Sequence, residues 1–360
     1  MSQPFLDDWI ARCCGLESVD PGAVLRYQTG KINALLRDVE RHSLFYRKHL
    51  AEVFVRHGEA IRSGRWPVSR EDIAALPFTA PGDIAENWKR FLCVPLDAVA
   101  RMVTLSTSGT TGEPKRLAFS VADLERTLDF FAHGISVLVR PGDTVLVLLP
   151  GAERPDGVTD LLIQALPRIG ARGVAGNPAA ETAGFLAELE RHRPDCLVAA
   201  PAQLRRLLEA LPEPPRLRAV LSSAEPLPEA LGAALARRWS CEVFDHYGLT
   251  ETGYGGGVEC RARNGYHLRE ADLFFEVVDP VSGSPVPDGT PGEVVFTTLT
   301  RRAMPLIRYR TGDVAAMLPG PCACGSPLRR LSRIAGRLRR TEAGVDVHTP
   351  CKGWAENRDG

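Results

Sequence analysis

Ser106-Thr107-Ser108-Gly109-Thr110-Thr111-Gly112-Glu113-Pro114-Lys115 follows the apolar run Met102 to Leu105, which reads as a strand. Clustered hydroxyls, two glycines and a closing lysine suit a loop that wraps phosphate. Glycine permits close backbone approach, hydroxyls donate hydrogen bonds and lysine adds charge. The spacing G-x-x-x-x-G-K-[ST] is absent, so the loop is not of the Walker A kind. A flexible polar linker is the competing reading, but linkers seldom sit between two structured segments with this density of donors.

Outward from this loop the pattern alternates. DTVLVLLP, CLVAAP, RAVLSS and CEVFDHYG are short apolar runs ending in small or turn residues, with ADLERTLDFFAHGISVLV and PAQLRRLLEAL between them at helical spacing. Strands alternating with helices predict an α/β fold, a largely parallel sheet layered between helices. Before the loop, Val24 to Arg41 carries a helical period, and SREDIAALPFTAPGDI has the caps and prolines of short helices. After it, DLFFEVVDP, GEVVFTTL and AAMLPG are separated by Gly/Pro turns, as in a smaller antiparallel β unit. The organisation expected is a helical part (1–100), an α/β core (101–271), the antiparallel unit (272–337) and a short polar tail (338–360).

At 360 residues the chain can bury a large core, and 44 basic residues balance 44 acidic ones. No overall field draws it to nucleic acid or to an anionic membrane. The first twenty residues lack a basic segment followed by an apolar one, so no signal peptide is expected. No run of about 18 apolar residues suggests a membrane span. Nine cysteines, an odd number without an export signal, do not read as a disulfide framework. A cytoplasmic, reduced setting is the expectation.

Two further motifs follow in order: Tyr247-Gly248-Leu249-Thr250-Glu251 and Tyr309-Arg310-Thr311-Gly312-Asp313. With STSGTTGEPK they resemble the signatures of the acyl- and aryl-CoA synthetase superfamily of adenylate-forming enzymes. HSLFYRKHL, ALPFTAPGDIAENW, ECRARNGYHL, PVPDGTPGEVVFTTLTRRAMPLIRYRTGD and PCACG narrow the resemblance to the phenylacetate–CoA ligase branch, from about Ser43 to Arg337. The resemblance implies activation of a small organic carboxylate, aryl or arylacetic, as its acyl-AMP, with ATP and Mg²⁺ as cofactors and CoA as a candidate acceptor. It implies that Ser108, Gly109, Thr110, Thr111, Gly112 and Lys115 hold the β- and γ-phosphates. Tyr247 would lie against adenine, Thr250 would meet the α-phosphate and Glu251 would hold Mg²⁺. Asp313 would accept from the ribose hydroxyls, and Arg337 would approach ribose or phosphate. Attack of a carboxylate on phosphorus brings anions together, so positioning and charge stabilisation carry the chemistry.

Ser222-Ser223-Ala224-Glu225-Pro226 falls where this branch has a Gly-rich segment ending in Glu-Pro, and Glu225 is carried over as a residue of the adenine and acyl pocket. Cys260, His267, Cys322 and Cys324 match a closed tetrahedral zinc site in ligand type and number, and the resemblance implies structural zinc there. Four independent residues, some of them simply buried thiols, are the competing reading. Cys241 is a weaker substitute ligand, and His246 reads as a packed or solvated histidine.

The resemblance breaks after Gly336-Arg337, where Leu338-Arg339-Arg340 stands in place of acidic hinge residues and of the C-terminal domain that supplies an adenylation lysine. Three outcomes stay open: slow adenylation by this unit alone, completion by a separate C-terminal-domain-like protein, or binding without catalysis within a larger assembly. Lys352 has only its residue type to recommend it as a replacement. CoA, an acyl-carrier protein, or Cys351 by analogy with the acyl-protein synthetases of the bacterial luciferase system, are the candidate acyl acceptors.

Overall fold

Six helices build the N-terminal part: α1 Asp7–Cys14, α2 Pro21–His42, α3 Leu44–His49, α4 Ala51–Arg62, α5 Arg70–Ala74 and α6 Pro81–Phe91. The computed structural model describes residues 6–105, 114–211, 216–341 and 344–348. Helix α2 starts where the Asp20 carboxylate accepts from the Ala23 amide at 2.7 Å and Pro21 fills the first turn, the arrangement that unpaired N-terminal amides favour. Val24, Ile32, Leu35, Leu36 and Val39 recur at helical spacing and are buried.

Strands β1 Arg101–Leu105 and β2 Lys115–Phe119 pair antiparallel as a separate ribbon. Strands β3 Thr144–Val147, β4 Arg172–Ala175, β5 Cys196–Ala199, β6 Ala219–Ser222 and β7 Glu242–Tyr247 then alternate with helices. These are α7 Val121–Ile135, which precedes β3, and α8 Val158–Ala165, α9 Thr182–His192, α10 Pro201–Ala210 and α11 Glu229–Trp239. The strands lie parallel in the order β4-β3-β5-β6-β7. Both faces are covered. Val145 and Val147 pack with Phe130 and Ile135 of α7, whereas Leu146 and Leu148 pack with Leu204 of α10 and Leu231 of α11. This is the two-residue alternation of a pleated strand.

Past β7 the partners turn antiparallel: β8 Gly257–Glu259, β9 Tyr266–Leu268, β10 Leu273–Val278, β11 Pro291–Thr298, β12 Tyr309–Leu318 and β13 Arg330–Leu331. Hydrogen bonding continues unbroken along β10-β11-β12-β13-β9-β8-β7. Part of the polar segment read as a tail is ordered as a hairpin. Strand β14 Gly336–Thr341 pairs with β12 and with β15 Gly344–His348. Arg340 on it donates to the buried Glu293 carboxylate at 2.6 Å, beside Arg310 at 2.6 Å. A mixed parallel and antiparallel sheet with flanking helices results, which is the expected α/β architecture.

Three buried polar nodes lock these layers. Tyr46 accepts from the Ile307 amide at 2.9 Å and meets Thr79, whose amide donates to Arg308 O at 3.1 Å. The helical part is thereby tied to the start of β12. Asp272 accepts from Arg126 of α7 (2.8 Å), Arg269 (2.7 Å) and Thr300 (2.9 Å). Burial would raise its pKa, but the two guanidinium groups outweigh burial and hold it below the usual carboxylate range. Asp245 is the opposite case. Burial lifts it to about 7 against a 2.7 Å hydrogen bond from Tyr266, and the neighbouring Glu259 carboxylate pushes the same way.

Asp272→Ala strands two buried guanidinium groups and is expected to cost about 3–5 kcal/mol in denaturant unfolding. Asp288→Ala, at an exposed pair with Arg329, should cost less than about 1 kcal/mol. For Asp245, the folded state keeps a proton that the unfolded state has released between the ordinary carboxylate pKa and about 7. This group therefore lowers stability as pH rises through that window. Urea unfolding at about pH 5 and about pH 8 should show Asp245→Asn gaining stability relative to wild type at the higher pH.

Candidate active site

Lys115 opens β2, and its ammonium reaches both the Glu251 carboxylate and the Tyr309 hydroxyl, the latter at 3.1 Å. Tyr309 in turn donates to Glu251 Oε1 at 2.9 Å. Three distant segments thus meet at one carboxylate. Burial would raise the Glu251 pKa, yet the Lys115 charge, its hydrogen bond, the Glu251 amide and Tyr309 together bring it below the usual value. Glu251 is ionised in the folded protein at neutral pH. It sits in the one-turn 3₁₀ segment Thr250–Thr252, with Thr250 half-buried at its start.

The neighbouring group is Tyr247, Asp313 and Arg337. Tyr247 ends β7 and donates its hydroxyl proton to Asp313 Oδ2 at 3.0 Å. Asp313 and Arg337 are register partners across β12 and β14, with Arg337 Nε 3.7 Å from Asp313 Oδ1. Burial raises the Asp313 pKa while Arg337 pulls it down. Arg337 itself is 60% exposed, so its cationic head faces outward beside a buried acid. Glu225 stands apart, exposed in the turn that follows β6. Ser108, Gly109, Thr110, Thr111 and Gly112 lie outside the described residues, as do Cys351 and Lys352.

An apolar cleft of roughly 490 Å³, counting its open mouth, lies at the carboxyl ends of the parallel strands. Its walls include Leu149, Leu221 and Ser223 at or just beyond strand ends, Phe130 and Phe131 from α7, and Tyr254. Strand β3 is flanked by β4 on one side and β5 on the other. Open α/β sheets take ligands at such a reversal of strand order. The turn Gly253-Tyr254-Gly255-Gly256-Gly257 closes one end. Tyr254 holds φ +67°, a costly backbone for an aromatic residue, and a Cβ on Gly255 would come 2.4 Å from the Phe130 ring. Ser223 belongs to the segment Ser222 to Pro226 that the resemblance placed at the pocket; sequence reasoning did not identify the other cleft residues, because a helical or alternating pattern does not tell which face meets a ligand.

A second cluster joins Cys260, after β8, to His267 on β9 and to Cys322 and Cys324 in the turn before β13. One ligand atom from each lies within 4.8 Å of the others. Cys260 Sγ and Cys322 Sγ are 3.6 Å apart, as are Cys324 Sγ and His267 Nε2. A tetrahedron with zinc bonds of about 2.0–2.3 Å has edges near 3.5–3.8 Å, so the donor set and spacing fit. Cys241 packs instead into the apolar layer beside α11. No described helix is long and apolar enough to cross a membrane.

The AMP-binding enzyme family matches residues 25–299. The chain is 32% identical to phenylacetate–coenzyme A ligase of Aromatoleum evansii over 285 residues, 75% of this chain and 62% of that protein. It is 30% identical to the ligase of that name from Thermus thermophilus over 337 residues, 89% of this chain and 72% of that one. In fold it is similar to an open conformation of 2-hydroxyisobutyryl-CoA ligase solved with 2-HIB-AMP and CoA. There the TM-score is 0.74 at 21% identity, covering 91% of this chain and 72% of that one. With its three motif segments converging on one buried carboxylate, the chain belongs to the AMP-binding enzyme family, in the branch of the phenylacetate–coenzyme A ligases.

Proposed function

We propose that the chain activates an organic carboxylate, aryl or arylacetic, as its acyl-AMP at the expense of ATP, and that the acyl group then passes to CoA or another thiol. The observation that carries this reading is the convergence of Lys115, Glu251 and Tyr309 beside Tyr247–Asp313–Arg337, with the apolar cleft at the adjoining strand ends. A carboxylate oxygen would bond to the α-phosphorus as the bond to the bridging oxygen breaks and pyrophosphate leaves. Mg²⁺ at Glu251, an ionised oxygen ligand suited to a hard cation, would offset phosphate charge. The Lys115 ammonium, now on Glu251, would be free to pair with phosphate oxygens once a divalent cation replaces it there. Asp313 would orient the ribose, and Tyr247, which offers little free surface here, would pack against the purine by its edge or after a small rotation. Ser108, Gly109, Thr110, Thr111 and Gly112 would complete the phosphate contacts, and a cytoplasmic setting suits the free thiols.

Pyrophosphate exchange into ATP over a panel of aryl, arylacetic and aliphatic acids tests this. Exchange with at least one acid is expected, and Glu251→Gln should lower it by about 100-fold or more. ATP binding without exchange for any acid would overturn the reading in favour of a non-catalytic subunit of a larger assembly.

Cys260, His267, Cys322 and Cys324 are proposed to hold one Zn²⁺ that staples β8 and β9 to the turn before β13. Four protein ligands leave no open position, so its contribution is structural. Metal analysis of the purified protein should find about one zinc per chain. Cys322→Ser should lose it and lower the melting temperature; zinc-free wild-type protein of unchanged stability would contradict the assignment.

A further inference from the structure

The cleft is walled mainly by hydrocarbon, with few polar side chains. Ser223 and His246 both belong to its wall, and Ser223 Oγ lies 2.7 Å from His246 Nε2. Their placement follows from the pleat. Leu221 and Ser223 fall on the same side of β6 and its extension, and both meet the cleft, while Ser222 between them is wholly buried. On β7, His246 turns to the cleft and Tyr247 turns to Asp313. The imidazole is held neutral, because burial pushes its pKa down to about 4. Among the described residues, no aspartate, glutamate, lysine or arginine lines the cleft.

A neutral imidazole and a hydroxyl share one proton in this contact. If serine donates, its oxygen keeps free lone pairs; if histidine donates, the serine proton is free as well. Either way Ser223 keeps a further hydrogen-bonding valence at a wall that is otherwise mainly apolar. Filling the cleft with hydrocarbon alone leaves the valence unmatched and costs free energy. A neutral polar group on the ligand removes that cost. A second carboxylate or an ammonium would instead lose its hydration without a countercharge.

We infer that the Ser223–His246 pair sets the acid specificity, and that the acid activated carries a neutral hydrogen-bonding substituent, a hydroxyl foremost, on its carbon body. The inference rests on the activation reading above. It goes beyond that reading in naming the substituent and the two residues that read it. Discrimination of this kind is strong, because a site built to bond a hydroxyl rejects the analogue that lacks it.

The test compares benzoate and phenylacetate with each of their ring-hydroxylated isomers, by kcat/KM in pyrophosphate exchange and by calorimetric Kd. At least one hydroxylated isomer should exceed its parent by about tenfold or more. Ser223→Ala, and separately His246→Leu, should shrink that ratio to about threefold or less by lowering the value for the hydroxylated acid. A parent acid that matches every hydroxylated isomer overturns the inference, as does a ratio that survives in both variants. If no acid supports exchange, the activation reading fails by itself. The calorimetric ratio then decides the specificity inference, and absence of binding by any of these acids overturns that as well.

Discussion

A carboxylate taken out of water must be matched by charge and hydrogen bonds, and Glu251, its side chain 7% exposed, is matched by groups from two remote segments. Lys115 arrives from the ribbon β1–β2, and Tyr309 from the start of β12. Neither could be there unless the layers that carry them were docked first. Thr79 fixes β12 through backbone hydrogen bonds on both sides of Tyr309, and Tyr46 fixes Thr79. The first hundred residues therefore do more than cover a sheet face, since they set where the Tyr309 hydroxyl points.

Asp272 solves a similar problem in a different place. Two arginines, one on α7 and one at the turn before β10, share it, and Thr300 completes its shell. Helix α7 also supplies Phe130 and Phe131 to the cleft, so its anchorage reaches the cleft wall. Its start is held by Asp123, which caps the helix with Ser120 and also accepts from the amides of Arg302 and Ala303. A helix pinned at its start and along its side presents its aromatic face at a fixed height above the strand ends.

Much of this was readable in advance, and for a physical reason. Lys115 closes a loop where glycines and hydroxyls occur together, which ordinary packing does not require, whereas Tyr247, Glu251 and Asp313 were named by the resemblance of their motifs to those of adenylate-forming enzymes. The Cys/His set was legible by ligand type. Of the cleft, only the segment around Ser223 was, because Phe130 and Leu149 look like any residues of a helix or a strand end until the sheet order is known. Nor was the hairpin β14–β15 foreseen. Its polar, Gly-containing sequence offers little hydrophobic signal, and it is held by pairing with β12 and by Arg340 on Glu293. The continuity of the sheet from β7 into the antiparallel strands also escaped, since register between distant segments leaves no local trace.

The alternation at the end of β7 has an evolutionary meaning. Residue 246 belongs to one surface and residue 247 to another, although they are adjacent in the chain. On the proposed specificity, a codon change at the former would alter what the cleft accepts and leave the Tyr247–Asp313 contact in place. Diversification of the acid would thus proceed on one side of a single strand while the opposite side is left unchanged, a short mutational path to new substrates.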